Sequence, residues 1–131
     1  MPTVKATREG LVGQRTASGW TINNSVRFVA LPSHAALRLW VQVTNQAVLD
    51  NGIPRSIKAL VLDVGPWFGG RNDDDDAYVF GGARPRAETE TPAADLAKGL
   101  KSNGAGIDLG EAVRKALGIV EDNAEVFWSF V

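Results

Sequence analysis

Apolar and polar residues alternate with a period of two through much of this chain, the pattern of strands that bury one face. In LRLWVQVTN, residues 37–45, the alternation places Leu37, Leu39, Val41 and Val43 on one face. SIKALVLDV, 56–64, is the strongest strand signal, and Gly65-Pro66 stops it. SVRFVALP, 25–32, reads as a strand ending at Pro32, and TVKAT, 3–7, alternates more weakly. AEVFWSFV, 124–131, is a terminal strand carrying Phe127, Trp128 and Phe130. The run DNG, 50–52, is a hairpin-turn signal between two of these strands. A helical period shows in GEAVRKALG, 110–118, where Ala112, Val113, Ala116 and Leu117 share a face and Gly118 is a natural stop. TPAADLAKG, 91–99, suits a second, short helix, with Thr before Pro and a closing Gly. Short strands with one or two small helices predict an all-β fold, a compact barrel whose closure removes sheet edges.

The stretch from 67 to about 91 breaks the pattern. It holds two Gly-Gly pairs, a Pro, and the aromatics Trp67, Phe68, Tyr78 and Phe80. Long loops in small domains are usually functional walls or disordered segments, and these aromatics argue against pure disorder. Trp67 and Tyr78 are therefore candidates for a stacking wall. NDDDD, 72–76, fits a calcium loop only loosely and reads as a solvated turn, so no metal is expected. Trp20, Trp40, Phe127 and Trp128 read as core, with Trp20 the strongest candidate among them for a site residue.

Composition narrows the classes. The chain has 131 residues, 44% of them hydrophobic and 22% charged. That suits one domain over 1–131, expected to act as a monomer. A net charge of -1 offers no basic field for nucleic acid. Without Cys there is no thiol nucleophile, and the single His34, read as a surface residue, excludes a histidine-cluster zinc site. No run approaches the roughly 18 apolar residues of a membrane span. The N-terminal residues lack a charged-then-apolar signal pattern. The protein is expected either to stay where it is made or, if a signal was removed, to be extracellular, periplasmic or virion-associated.

Two carboxylates stand out. Asp63 sits in the apolar run Leu60-Val61-Leu62-Asp63-Val64, where an ionised group costs several kcal/mol unless paired, hydrogen-bonded or open to water. Either it accepts backbone N–H groups at a strand end or it serves a site. Asp108 precedes the 110–118 helix, where a carboxylate favours the helix dipole, and a structural and a site role are both open.

Four segments carry a family resemblance: RTASGW (15–20), WVQVTN (40–45), LDVGPW (62–67) and GIDLGEAVRKALGI (106–119). In order and spacing they resemble the rare lipoprotein A domains. Those domains share a six-stranded double-psi β-barrel with expansins, family 45 endoglucanases and membrane-bound lytic transglycosylase A. The resemblance implies a partner that is peptidoglycan or another β-linked polysaccharide, and it implies no cofactor. It implies that Asp63 is the catalytic acid/base and that Asp108 stands at the mouth of the same groove. Thr16 and Ser18 would line the groove, and Trp67 would take the aromatic position after Gly-Pro. Where rare lipoprotein A enzymes carry a second acid, this chain has Asn23 and Asn24, and their histidine position reads FVALPS. The resemblance thus implies cleavage of peptidoglycan strands by a lytic transglycosylase or a hydrolase with Asp63 as acid/base and without that histidine, with an expansin-like binding module or the structural barrel of a secreted or phage-borne protein as the alternative.

Overall fold

The computed structural model describes residues 3–10, 12–66, 74–89, 104–121 and 123–131. Among these described residues six strands are formed: β1 (Val4–Glu9), β2 (Phe28–Leu31), β3 (Trp40–Asp50), β4 (Ile53–Val64), β5 (Ile107–Gly110) and β6 (Ala124–Phe130). Short helices α1 (Asp76–Val79) and α2 (Arg86–Thr89) precede β5, and α3 (Glu111–Leu117) follows it. The strands close into a barrel in the order β1-β5-β2-β4-β3-β6. β1 with β5 and β2 with β4 run parallel, and the other neighbours antiparallel. The expected all-β, six-stranded closed barrel is the one observed.

Local chemistry explains the predicted elements. The β3–β4 hairpin turns on Asn51 and Gly52, both with positive φ (53° and 80°), as a two-residue turn matched to strand twist requires. α3 begins with Glu111, carries Arg114 and Lys115 in its last turn, and ends at Gly118 with φ 70°. Val113 and Leu117 are its buried residues on the predicted face. The interior is filled by the alternate residues Val41 and Val43 of β3, Ala59 and Val61 of β4, and Ile107 and Leu109 of β5.

Three expectations change. Leu39 is 41% exposed and does not join Val41 and Val43, because Arg38 takes a left-handed φ of 69° and breaks the pleat. Trp40, expected in the core, is 54% exposed because β3 alternation sets it on the outward face, opposite buried Val41 and Val43, whereas Trp128 is buried as expected. Within the stretch 67–91, residues 74–89 hold α1 and α2 rather than irregular chain. Asp74 meets exposed His34 at 2.7 Å, and Asp75 is buried and accepts the Arg86 amide at 2.8 Å. The helix expected at 91–99 lies outside the described residues.

Candidate functional site

Strand register brings distant carboxyls into one row. Asp63 of β4 pairs with Ala30 of β2, Ala30 pairs with Asp108 of β5, and Asp108 pairs with Thr7 of β1. Ala30 carries only a methyl group, so little bulk stands between the two aspartates. Alternation along β1 sets Thr7 and Glu9 on one side, opposite the side on which Val4 and Ala6 enter the core. Glu9 therefore joins the row, although its strand begins the chain and Asp63 lies far along it.

Each carboxyl is held differently. The Thr7 hydroxyl donates to Asp108 Oδ1. Asp63 Oδ1 accepts the amides of Ala17 at 2.8 Å and Val64 at 2.9 Å. Glu9 lies against Asp63, side chain to side chain, while its Oε2 is buried with no hydrogen-bond partner among the described residues. Burial is the main force pushing Glu9 up to about 10, with the hydrogen bond to Asp63 and the charges of Asp63 and Asp108 adding to it. Burial likewise lifts Asp108 to about 7; the Thr7 hydrogen bond opposes this and the Asp63 charge assists it. Two carboxyls thus hold protons where free acids would be ionised. An open cleft of about 530 Å³, lined by Arg8, Glu9, Gly10 and Asp108, gives solvent and ligand access to them.

The loop between β1 and β2 packs beside Asp63. A narrow turn forms where Thr16 N–H donates to the Trp20 carbonyl at 2.7 Å and Gly13 N–H to that of Ile22 at 2.9 Å. Gly19, with φ 83°, lets it close. Thr16 is buried inside the turn; its hydroxyl bonds the Ser18 hydroxyl at 2.9 Å and accepts the Trp20 amide at 3.2 Å. The turn is tied to the barrel by Ala17 on Asp63, by the Ser18 amide on the Leu62 carbonyl (3.4 Å), and by Arg38 Nη2 on the Ser18 carbonyl (3.1 Å).

Asp63, Asp108 and the turn bearing Thr16 and Ser18 are thus brought together. Trp20 flanks them half-buried, edge-on to Phe28 at 4.9 Å. Tyr78 is not with them, which corrects its reading as a groove wall. It is buried in the core, donates to the Gly106 carbonyl at 2.9 Å and accepts Trp128 Nε1 at 2.6 Å. A buried phenol finds its partners inside, and burial raises its pKa well above the usual phenol range. Trp67 lies outside the described residues. Glu9 was missed by sequence reasoning. Its only signal was the acid ending an alternating strand just before Gly10, which reads equally as a solvated strand end.

The chain belongs to the family described as Domain of unknown function (DUF8814), whose model matches residues 2–128. A search of curated proteins finds no match. Among solved structures, the Streptomyces papain inhibitor aligns over 99% of this chain and 93% of its own, at 19% identity and a TM-score of 0.51. A GH45 endoglucanase in complex with cellobiose aligns over 99% of this chain and 80% of its own, at 14% identity and a TM-score of 0.43. The first likeness supports the fold alone, and the second is too loose to carry an argument.

Proposed function

We propose that this DUF8814 domain, acting as a single unit over residues 1–131, works on a β-linked cell-wall glycan and cleaves peptidoglycan strands. The carrying observation is Asp108: a carboxyl lifted to about 7, held by Thr7 on a rigid strand, lining an open cleft in the same row as Asp63. A general acid needs a pKa near the working pH and a fixed position. Asp108 donates its proton to the glycosidic oxygen as the bond to the anomeric carbon breaks. Asp63, oriented by the Ala17 and Val64 amides, accepts a proton from the incoming hydroxyl. That hydroxyl is internal to the sugar in a lytic transglycosylase and belongs to water in a hydrolase. The donor's part therefore passes from Asp63, where sequence reasoning put it, to Asp108. Glu9, protonated beside them, keeps a third negative charge off the cluster.

Mass spectrometry of the soluble products of a peptidoglycan digest tests the reading. Anhydro-muropeptides identify a transglycosylase and new reducing ends a hydrolase; either activity should vanish in Asp108→Asn. Cleavage should also fall as pH rises through about 7, because the donor loses its proton. Binding without cleavage would replace this reading with a non-catalytic module. One observation favours that alternative: Asn23, in the region where rare lipoprotein A enzymes carry an acid, spends its Oδ1 on the amides of Ser25 (2.9 Å) and Val26 (3.1 Å).

A further inference from the structure

The chain leading into β3 produces a second surface feature next to the site. Arg38, Leu39 and Trp40 are consecutive and all exposed. Trp40 stands on the outward face of β3, and Arg38 takes a left-handed backbone that is disfavoured for a side chain of that size and clusters at functional sites. With Lys58, Phe130 and Val131 these residues line a hollow of about 590 Å³. The hollow is preformed. Phe130 is stacked on Phe80 at 5.3 Å and edge-on to Trp128 at 5.2 Å, and the Val131 amide donates to the Trp40 carbonyl at 3.0 Å. Its flat element is the indole of Trp40, more than half exposed.

Charge decides what fits there. Arg38 and Lys58 are the charged residues of the rim, and neither makes an ion pair among the described residues. Position links the hollow to the cleft. Arg38 Nη2 holds the Ser18 carbonyl, and the neighbouring Ala17 amide holds Asp63, so one turn separates the two. We propose that the Trp40 hollow is a distal subsite for an acidic saccharide, its ring stacked on Trp40 and its carboxylate held by Lys58 and Arg38. A polymer lying in the cleft passes the Ser18 turn and continues onto this platform. An exposed indole offers a sugar face a planar apolar surface, and two cations select an acidic ring over a neutral one. The inference rests on the glycan reading proposed above and adds the acidic specificity and the residues that confer it.

Calorimetric titration with chitohexaose and with O-carboxymethyl chitohexaose, which share a backbone and differ in charge, tests it. The carboxymethylated chain should bind the wild type about tenfold more tightly at low salt, a preference that Lys58→Gln reduces and salt screens. Trp40→Ala should weaken both ligands about tenfold while leaving the melting temperature within a degree or two, since the indole is exposed. Equal affinity for the two ligands, or a Trp40→Ala variant that binds as well as wild type, would overturn the proposal. So would a hexaglutamate peptide that displaces the acidic glycan from Trp40 with greater affinity. The cleavage reading fails separately: Trp40-dependent binding with no digestion products ends the enzyme and keeps the subsite, whereas digestion insensitive to Trp40 and Lys58 does the reverse.

Discussion

Asp63 meets both demands that an acid in an apolar strand raises. One carboxyl oxygen accepts two amides, and the same residue lies against Glu9. The substitutions should therefore separate. Asp63→Asn keeps an acceptor for both amides and should melt near wild type, whereas Asp63→Ala leaves the part-buried Val64 amide without its acceptor and should cost about 1–3 kcal/mol. Both should lack glycan cleavage; digestion by Asp63→Asn at the wild-type rate would remove Asp63 from the chemistry. The cluster also makes stability depend on pH. In the unfolded chain, carboxyls release their protons near pH 4, while native Asp108 and Glu9 hold theirs to about 7 and about 10. Folding thus takes up protons, the stabilisation is complete below about pH 4, and stability falls as pH rises, by at most about 1.4 kcal/mol per unit for each group. Denaturant melts between pH 6 and 9 should show this decline, and Glu9→Gln should flatten it. A wild-type curve without slope would contradict the buried, protonated glutamate.

At the scale of elements, α1 acts as a plug. Tyr78 from this single helical turn satisfies the Gly106 carbonyl ahead of β5 and the Trp128 indole N–H of β6. Tyr78→Phe leaves both groups buried and unpaired, with an expected loss of about 1–3 kcal/mol in urea unfolding and unchanged glycan affinity. Weakened binding at unchanged stability would return Tyr78 to the groove. The join between β5 and α3 is equally tight. A Cβ at Gly110 would lie 2.5 Å from Phe28 Cε1 and 3.0 Å from the Phe28 carbonyl. Gly110→Ala must push β5 and β2 apart, which should lower the melting temperature and, by displacing neighbouring Asp108, also impair cleavage.

For the whole molecule, closure depends on pairings between chain ends. β6 bonds to both β1 and β3, and β1 to β5 across about a hundred residues. Removing residues 124–131 opens the barrel and exposes two strand edges. The truncated chain should show no cooperative thermal transition and should bind neither glycan probe; a sharp melt by circular dichroism would show that five strands suffice.

What the sequence determined by itself was local. Apolar strand runs marked β2, β4 and β6 and period-two alternation marked β3 and, weakly, β1; Asn51-Gly52 marked the hairpin and Gly118 the end of α3, because face exposure and turn conformation are set by neighbouring residues. Asp63 was legible because a charge inside an apolar run conflicts with its surroundings. β5 was not read as a strand: four residues between a glycine turn and a helix carry too short a pattern. Convergence belonged to the tertiary structure. Glu9, Thr7 and Asp108 look like ordinary polar positions until the parallel β1–β5 register and the β2–β5 register set them in one row with Asp63. The same holds in reverse for Tyr78, an apparent loop aromatic buried by packing, and for Trp40, an apparent core aromatic set on the outward face of β3. Periodicity specifies which side of a strand a residue takes; only the pairing of strands far apart in the chain decides which carboxyls share a low-dielectric site, and that sharing raises the pKa values on which the chemistry depends.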